Sequence, residues 1–171
     1  MKQRPTMTLT NPRDPRSLPV ETTYASDSSI ARHIALQTLY EVDLAGHPAL
    51  PVLARHLQAQ EPPPRAARLA RELVAGVDAH RPVIDSAIAE RAPDHPVATL
   101  AAIDRNILRI ALFEFAVSRQ TPTGVAIDEA VELAKAYAAE GAPGFINGVL
   151  RVIANDPRLL ERLAQPAERE G

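Results

Sequence analysis

Apolar residues recur at three- and four-residue spacing along most of the chain, and no segment alternates with period two. That pattern predicts an all-α protein. Asp27 or Ser28 caps a first helix running to about Leu44, with Ala31, Ala35, Leu39 and Val42 on one face and Gly46 ending it. Pro48 opens a short second helix with Leu50, Leu53, Ala54 and Leu57 inward. Pro62, Pro63 and Pro64 enforce an extended connection, because proline disfavours helix in the residue before it. The most regular stripe follows: Ala66, Leu69, Ala70, Leu73, Val74 and Val77. Pro82 has no N–H for the helical ladder, so it should kink or break the helix before Val83, Ile84, Ala87 and Ile88 resume the stripe. Beyond a loop bracketed by Pro93 and Pro96, a long helix from about Thr99 to Val117 turns Leu100, Ile103, Ile107, Ile110 and Ala111 inward.

The last third is the most strongly marked. After Pro122 and Thr123, the carboxylates Asp128, Glu129 and Glu132 crowd the early turns of a helix, where its dipole favours negative charge. Ile127, Ala130, Val131, Ala134 and Tyr137 form its buried stripe. Gly141 ends it, Pro143 enters the first turn of the next helix, and Phe145, Val149 and Val152 continue the apolar face. Gly144 and Gly148 should leave a groove for a close neighbouring backbone, with Asn147 between them. Asp156–Pro157 starts a last turn carrying Leu159, Leu160 and Leu163. The count is six to eight helices. Residues 1–26, with four prolines and no apolar periodicity, read as a disordered tail; 27–160 form the helical domain and 161–171 a C-terminal tail.

Composition narrows the chemistry. At 171 residues with 46% apolar and 4% aromatic side chains, the core is built from Ala, Leu, Ile and Val, which suits close helix packing. The absence of cysteine excludes disulfides, thiol nucleophiles and thiolate-bound zinc. No apolar run approaches a membrane span of roughly 20 residues, and the N-terminus has no hydrophobic leader, so a cytoplasmic protein is expected. The net charge of −2 divides into +2 over residues 1–26 and −3 over 27–160, so bulk charge does not announce a nucleic-acid binder. His33, His47, His56, His80 and His95 are scattered without metal-ligand spacing, and the glycines form no phosphate-cradling loop. No metal, cofactor or enzymatic site is expected.

Three segments carry a resemblance: ARHIALQTLYEVDL (residues 31–44), AIDRNILRIALFEF (102–115), and VAIDEAVELAK followed by GFINGVL within 125–150. In order and separation they resemble the bacterial antitermination factor family NusB, over roughly residues 28–154. The resemblance implies two stacked small helical bundles. It also implies binding of the boxA element of ribosomal RNA leader transcripts as a single strand, together with NusE, a small-subunit ribosomal protein, within the RNA polymerase elongation complex. A homodimer is a further possible assembly. A NusB-like scaffold that has lost RNA binding is the alternative.

By motif, the resemblance places Arg32, His33, Gln37, Tyr40, Lys135, Phe145 and Asn147 at the RNA, and Tyr40, Asp104, Arg105 and Phe145 at the protein partner. Arginine can fork a phosphate, glutamine can read a base edge and tyrosine can stack on an unpaired base. Each also fits a plain structural role: Lys135 beside Glu132, Phe145 as a hydrophobic staple, Asn147 as a cap. Arg109 has an internal alternative too, pairing with Glu114 or with a carboxylate of the next helix. Where relatives place several arginines, the first turn here reads Asp27-Ser28-Ser29-Ile30-Ala31-Arg32, which predicts weaker intrinsic RNA affinity. Arg13 and Arg16 of the tail are available to compensate.

Overall fold

The computed structural model describes residues 26–166, and these contain seven α-helices and no strand. The tail expected at 1–26 lies outside the described residues except for Ser26. That residue is the cap of α1 (Asp27–Ala45): its Oγ accepts the Ser29 N–H at 3.1 Å. Gly46, at φ +67°, closes the helix with its N–H on the Val42 carbonyl. Helix α2 (Ala49–Gln60) buries Val52, Leu53 and His56; of the expected inward set Leu53 is in the core and Leu57 packs against it, but Leu50 is 69% exposed and Ala54 is exposed. Pro64 is the first residue of α3 (Pro64–Arg91).

Pro82 does not interrupt α3. It sits on the solvent side, while Ile84, Ala87 and Ile88 carry the buried stripe past it. A 3-10 turn at Val97–Thr99 leads to α4 (Ala102–Leu112), which continues into a π-helical turn, Phe113–Val117. Then come α5 (Thr123–Tyr137), α6 (Ala142–Ala154) and α7 (Pro157–Ala164). Asp156 caps α7 through bonds from the N–H groups of Arg158 and Leu159. Leu163 is fully buried, so the folded domain runs past residue 160. Residues 167–171 lie outside the described part.

Helix α1 packs on α2, α3 and α4, while α5 and α6 pack on each other and on α4. Two helical groups therefore meet where α1 and α3 rest on α4, around a single core containing Ile34, Leu36, Ile88, Leu108 and Leu150. Ser28 and Arg65, near the starts of α1 and α3, line one cleft; Val42 and Asp78, farther along, line another. These two helices run parallel. Helix α4 runs against α1, since Arg32 meets Glu114 and Asp43 meets Arg105.

The close backbone approach expected at Gly144 and Gly148 does not occur: a Cβ at either would meet nothing within 4 Å, and Val152 on the same helix is 49% exposed. The tight contact is at Gly76 of α3, where a Cβ would collide with the Phe113 ring of the π turn.

Candidate RNA and protein interface

The first helix does not present Arg32 to solvent. Its side chain is 7% exposed, and its Nε donates to both Glu114 oxygens at 3.1 and 3.0 Å while Nη2 donates to Oε1 at 2.7 Å. Glu129 of α5 stands 3.7 Å from Nη1, and Thr121 adds a hydroxyl bond to Glu114 at 3.0 Å. A guanidinium engaged this way by two carboxylates is a buried tie between α1, the π turn and α5. Its expected role as a phosphate fork does not fit that geometry. Gln37 is also corrected: it is fully buried and its Oε1 accepts from Gln60 Nε2 at 2.5 Å, so it cannot read a base edge.

His33 and Tyr40 stay half-buried on α1. His33 Nδ1 shares a 2.7 Å hydrogen bond with the Tyr137 hydroxyl, and the two rings meet edge to face at 5.3 Å. Burial lowers the His33 pKa, so the imidazole is neutral at pH 7 and offers no charge to a phosphate. Tyr40 has no hydrogen-bond partner among the described residues, which leaves its ring and hydroxyl available.

One turn beyond Tyr40, Asp43 anchors α1 to α4. Its Oδ2 accepts from Arg105 Nε at 2.5 Å and from Asn106 Nδ2 at 2.9 Å, with Arg109 Nη1 at 3.5 Å. Burial opposes ionisation of Asp43, but these donors outweigh it and hold the carboxyl below its ordinary range; the same bond raises the Arg105 pKa. Arg105 also donates to the Leu100 carbonyl at 3.0 Å. Arg109 forks Asp85 of α3 through two 2.8 Å bonds, while Glu114 goes to Arg32 instead. Asp104 is the exception. It is half-buried in the first turn of α4, has no ion pair among the described residues, and burial raises its pKa.

The remaining candidates lie on α5 and α6. Lys135 is exposed and reaches Glu132 at 3.1 Å. Asn147 accepts from Arg151 Nε at 3.0 Å within its own helix, rather than capping a neighbour. Phe145 packs edge to face on His95 at 4.9 Å, beside a shallow depression lined by Pro93, Gly148 and Val152. It faces the α3–α4 connection rather than α1.

Comparison with known proteins decides the family. The NusB family profile matches residues 29–155. The chain belongs to the NusB family. It is 42% identical over 126 residues to the transcription antitermination protein NusB of Roseiflexus castenholzii, covering 72% of this chain and 89% of that protein. It is also similar to a crystal structure of antitermination factors NusB and NusE in complex with double-stranded RNA, with a TM-score of 0.69 and 29% identity, covering 74% of this chain and 95% of that one. A solved T. maritima NusB gives a TM-score of 0.71 at 27% identity, covering 80% and 97%.

Of the candidates named for this NusB-family chain, the structure brings Tyr40 close to the Arg105 side of α4 through the Asp43 tie, and His33 close to the end of α5. It does not join Phe145 to either group. Sequence reasoning missed Asp43, Asp85 and Glu114 as the partners of Arg105, Arg109 and Arg32. Nothing in their spacing signals these pairs, which link residues 24 to 82 positions apart. Among the described residues no helix is long and apolar enough to cross a membrane.

Proposed function

We propose that the chain is a non-enzymatic, cytoplasmic transcription antitermination factor. It binds the boxA element of ribosomal RNA leader transcripts together with NusE, within the RNA polymerase elongation complex. The observation that carries this reading is the likeness, along nearly the whole described fold, to the solved complex of NusB and NusE with double-stranded RNA. Tyr40, Lys135 and Asn147 remain the accessible candidates for RNA, with Tyr40 suited to stack on a base. Asp104, a carboxylate without a partner of its own, is the candidate for a cationic group on NusE, with Phe145 as a separate apolar contact.

A second reading has a specific observation behind it: a scaffold that binds NusE, or a second copy of itself, with weak or no RNA affinity. The burial of Arg32 and Gln37 removes two of the expected RNA contacts. Fluorescence anisotropy of a short boxA-like RNA, with and without NusE at two salt concentrations, separates the readings. Salt-sensitive binding that tightens with NusE supports the first. A stable NusE complex that binds no RNA leaves the scaffold, and a protein that binds neither molecule and sediments as a monomer sinks both.

A further inference from the structure

Helix α3 carries Arg65, Arg68 and Arg71 on its exposed side, and none of the three has an ion-pair or hydrogen-bond partner among the described residues. Arg158 of α7 is likewise without a side-chain partner among the described residues; the three on α3 differ in following one another at three-residue steps. Arg55, Arg81, Arg91 and Arg162 are matched on the surface by Glu41, Asp78, Asp156 and Glu90, and Arg32, Arg105 and Arg109 are matched in the interior. Steps of three residues fall short of a full helical turn, so the three guanidiniums run obliquely across the outer face over about 9 Å of helix length. Like charges one turn apart disfavour the helix slightly, so helix stability does not account for the spacing.

The ridge begins at a cleft of about 210 Å³ between α1, α3, the π turn and the segment that follows it, residues 118–121. Arg65 lines it together with Ser28 and Gln120, whose side chains have no hydrogen-bond partner among the described residues. Glu72 is the carboxylate on the α3 wall of this cleft, and Glu61 ends α2 just before the helix. Against these two stand three uncompensated arginines, on a chain whose net charge is −2. Planar guanidiniums pair with phosphate oxygens in a bidentate fork, and hydroxyl and amide groups complete such contacts at the sugar–phosphate backbone.

We propose that Arg65, Arg68 and Arg71 form a phosphate track that carries the RNA backbone from the cleft beside α1 across α3. This rests on the RNA-binding reading above. It places the backbone-neutralising charge on the third helix, next to a first helix whose one arginine is locked to Glu114.

The test is salt-dependent anisotropy of a boxA-like RNA with NusE present, comparing three proteins. They are the wild type, the variant Arg65→Ser/Arg68→Ser/Arg71→Ser, and a control with the same change in net charge, Arg81→Ser/Arg158→Ser/Arg162→Ser. Each phosphate contact adds about 0.7 to the salt slope for a single strand, so the α3 variant should flatten it by about 2 and the control should not. All replaced side chains of the α3 variant are exposed, and an unchanged thermal midpoint verifies its fold. Equal slopes for wild type and α3 variant, or equal losses in variant and control, overturn the track while leaving RNA binding in place. A wild type that binds no RNA overturns the underlying reading and the track with it.

Discussion

Two neighbouring carboxylates show how a residue's surroundings reveal its task. Asp43 is surrounded by donors that hold it ionised, so its charge favours the folded state at neutral pH, and that contribution is lost as pH falls below about 4. Asp104 has the opposite sign. Its raised pKa means that ionisation opposes folding, with the penalty arriving as pH rises through about 4 and persisting above. Asp43→Asn should therefore lower the denaturation midpoint at pH 7, with a narrower gap to wild type at pH 3. Asp104→Asn should raise the midpoint at pH 7 and weaken NusE binding in the same protein. Urea titrations at both pH values, with a NusE pull-down, check the pair; a destabilised Asp104→Asn would contradict the assignment. A carboxylate that lowers stability where it stands is consistent with selection for a partner.

At the scale of elements, periodicity within a helix was legible and contact between helices was not. The stripes of α1 and α3 emerge from spacing alone because a helix repeats every 3.6 residues whatever it packs against. Leu50 and Ala54 of α2 were misassigned as inward, while Leu53 and Leu57 were not, because that helix is short and half exposed, and a 12-residue window holds more than one plausible apolar face. Pro82 misled for a related reason: an exposed proline forfeits one ladder bond, but packing on both sides of it holds α3 together. Glycines divide in the same way. Gly76→Ala should destabilise the protein by about 1–3 kcal/mol, because the Phe113 ring occupies the space a methyl needs. Gly148→Ala should stabilise it by about 0.5–1 kcal/mol, since the position is helical and open. Differential scanning calorimetry of the two variants settles which glycine is the close approach.

For the whole molecule, the family could be read from three sequence segments, while the surface those segments present could not. Arg32 and Gln37 look like nucleic-acid contacts in a linear reading because exposure is a property of the assembled bundle. The arginines of α3 were visible in the sequence, yet nothing there showed that all three lack carboxylate partners while Arg55 and Arg81 have them.

The Arg32–Glu114 pair has a kinetic consequence. Its partners are 82 residues apart, so the bond closes a long loop and forms only after α1 and α4 have found each other. Interactions absent from the folding transition state act on the unfolding rate. Arg32→Ala leaves a carboxylate buried and unpaired, a loss of about 3–5 kcal/mol. In a stopped-flow chevron that loss should steepen escape from the native state, while the refolding limb stays close to wild type. A slowed refolding limb would instead place the pair in the nucleus. If it does form late, the start of α1 and the turn before α5 are the last parts of the protein to lock and the first to let go.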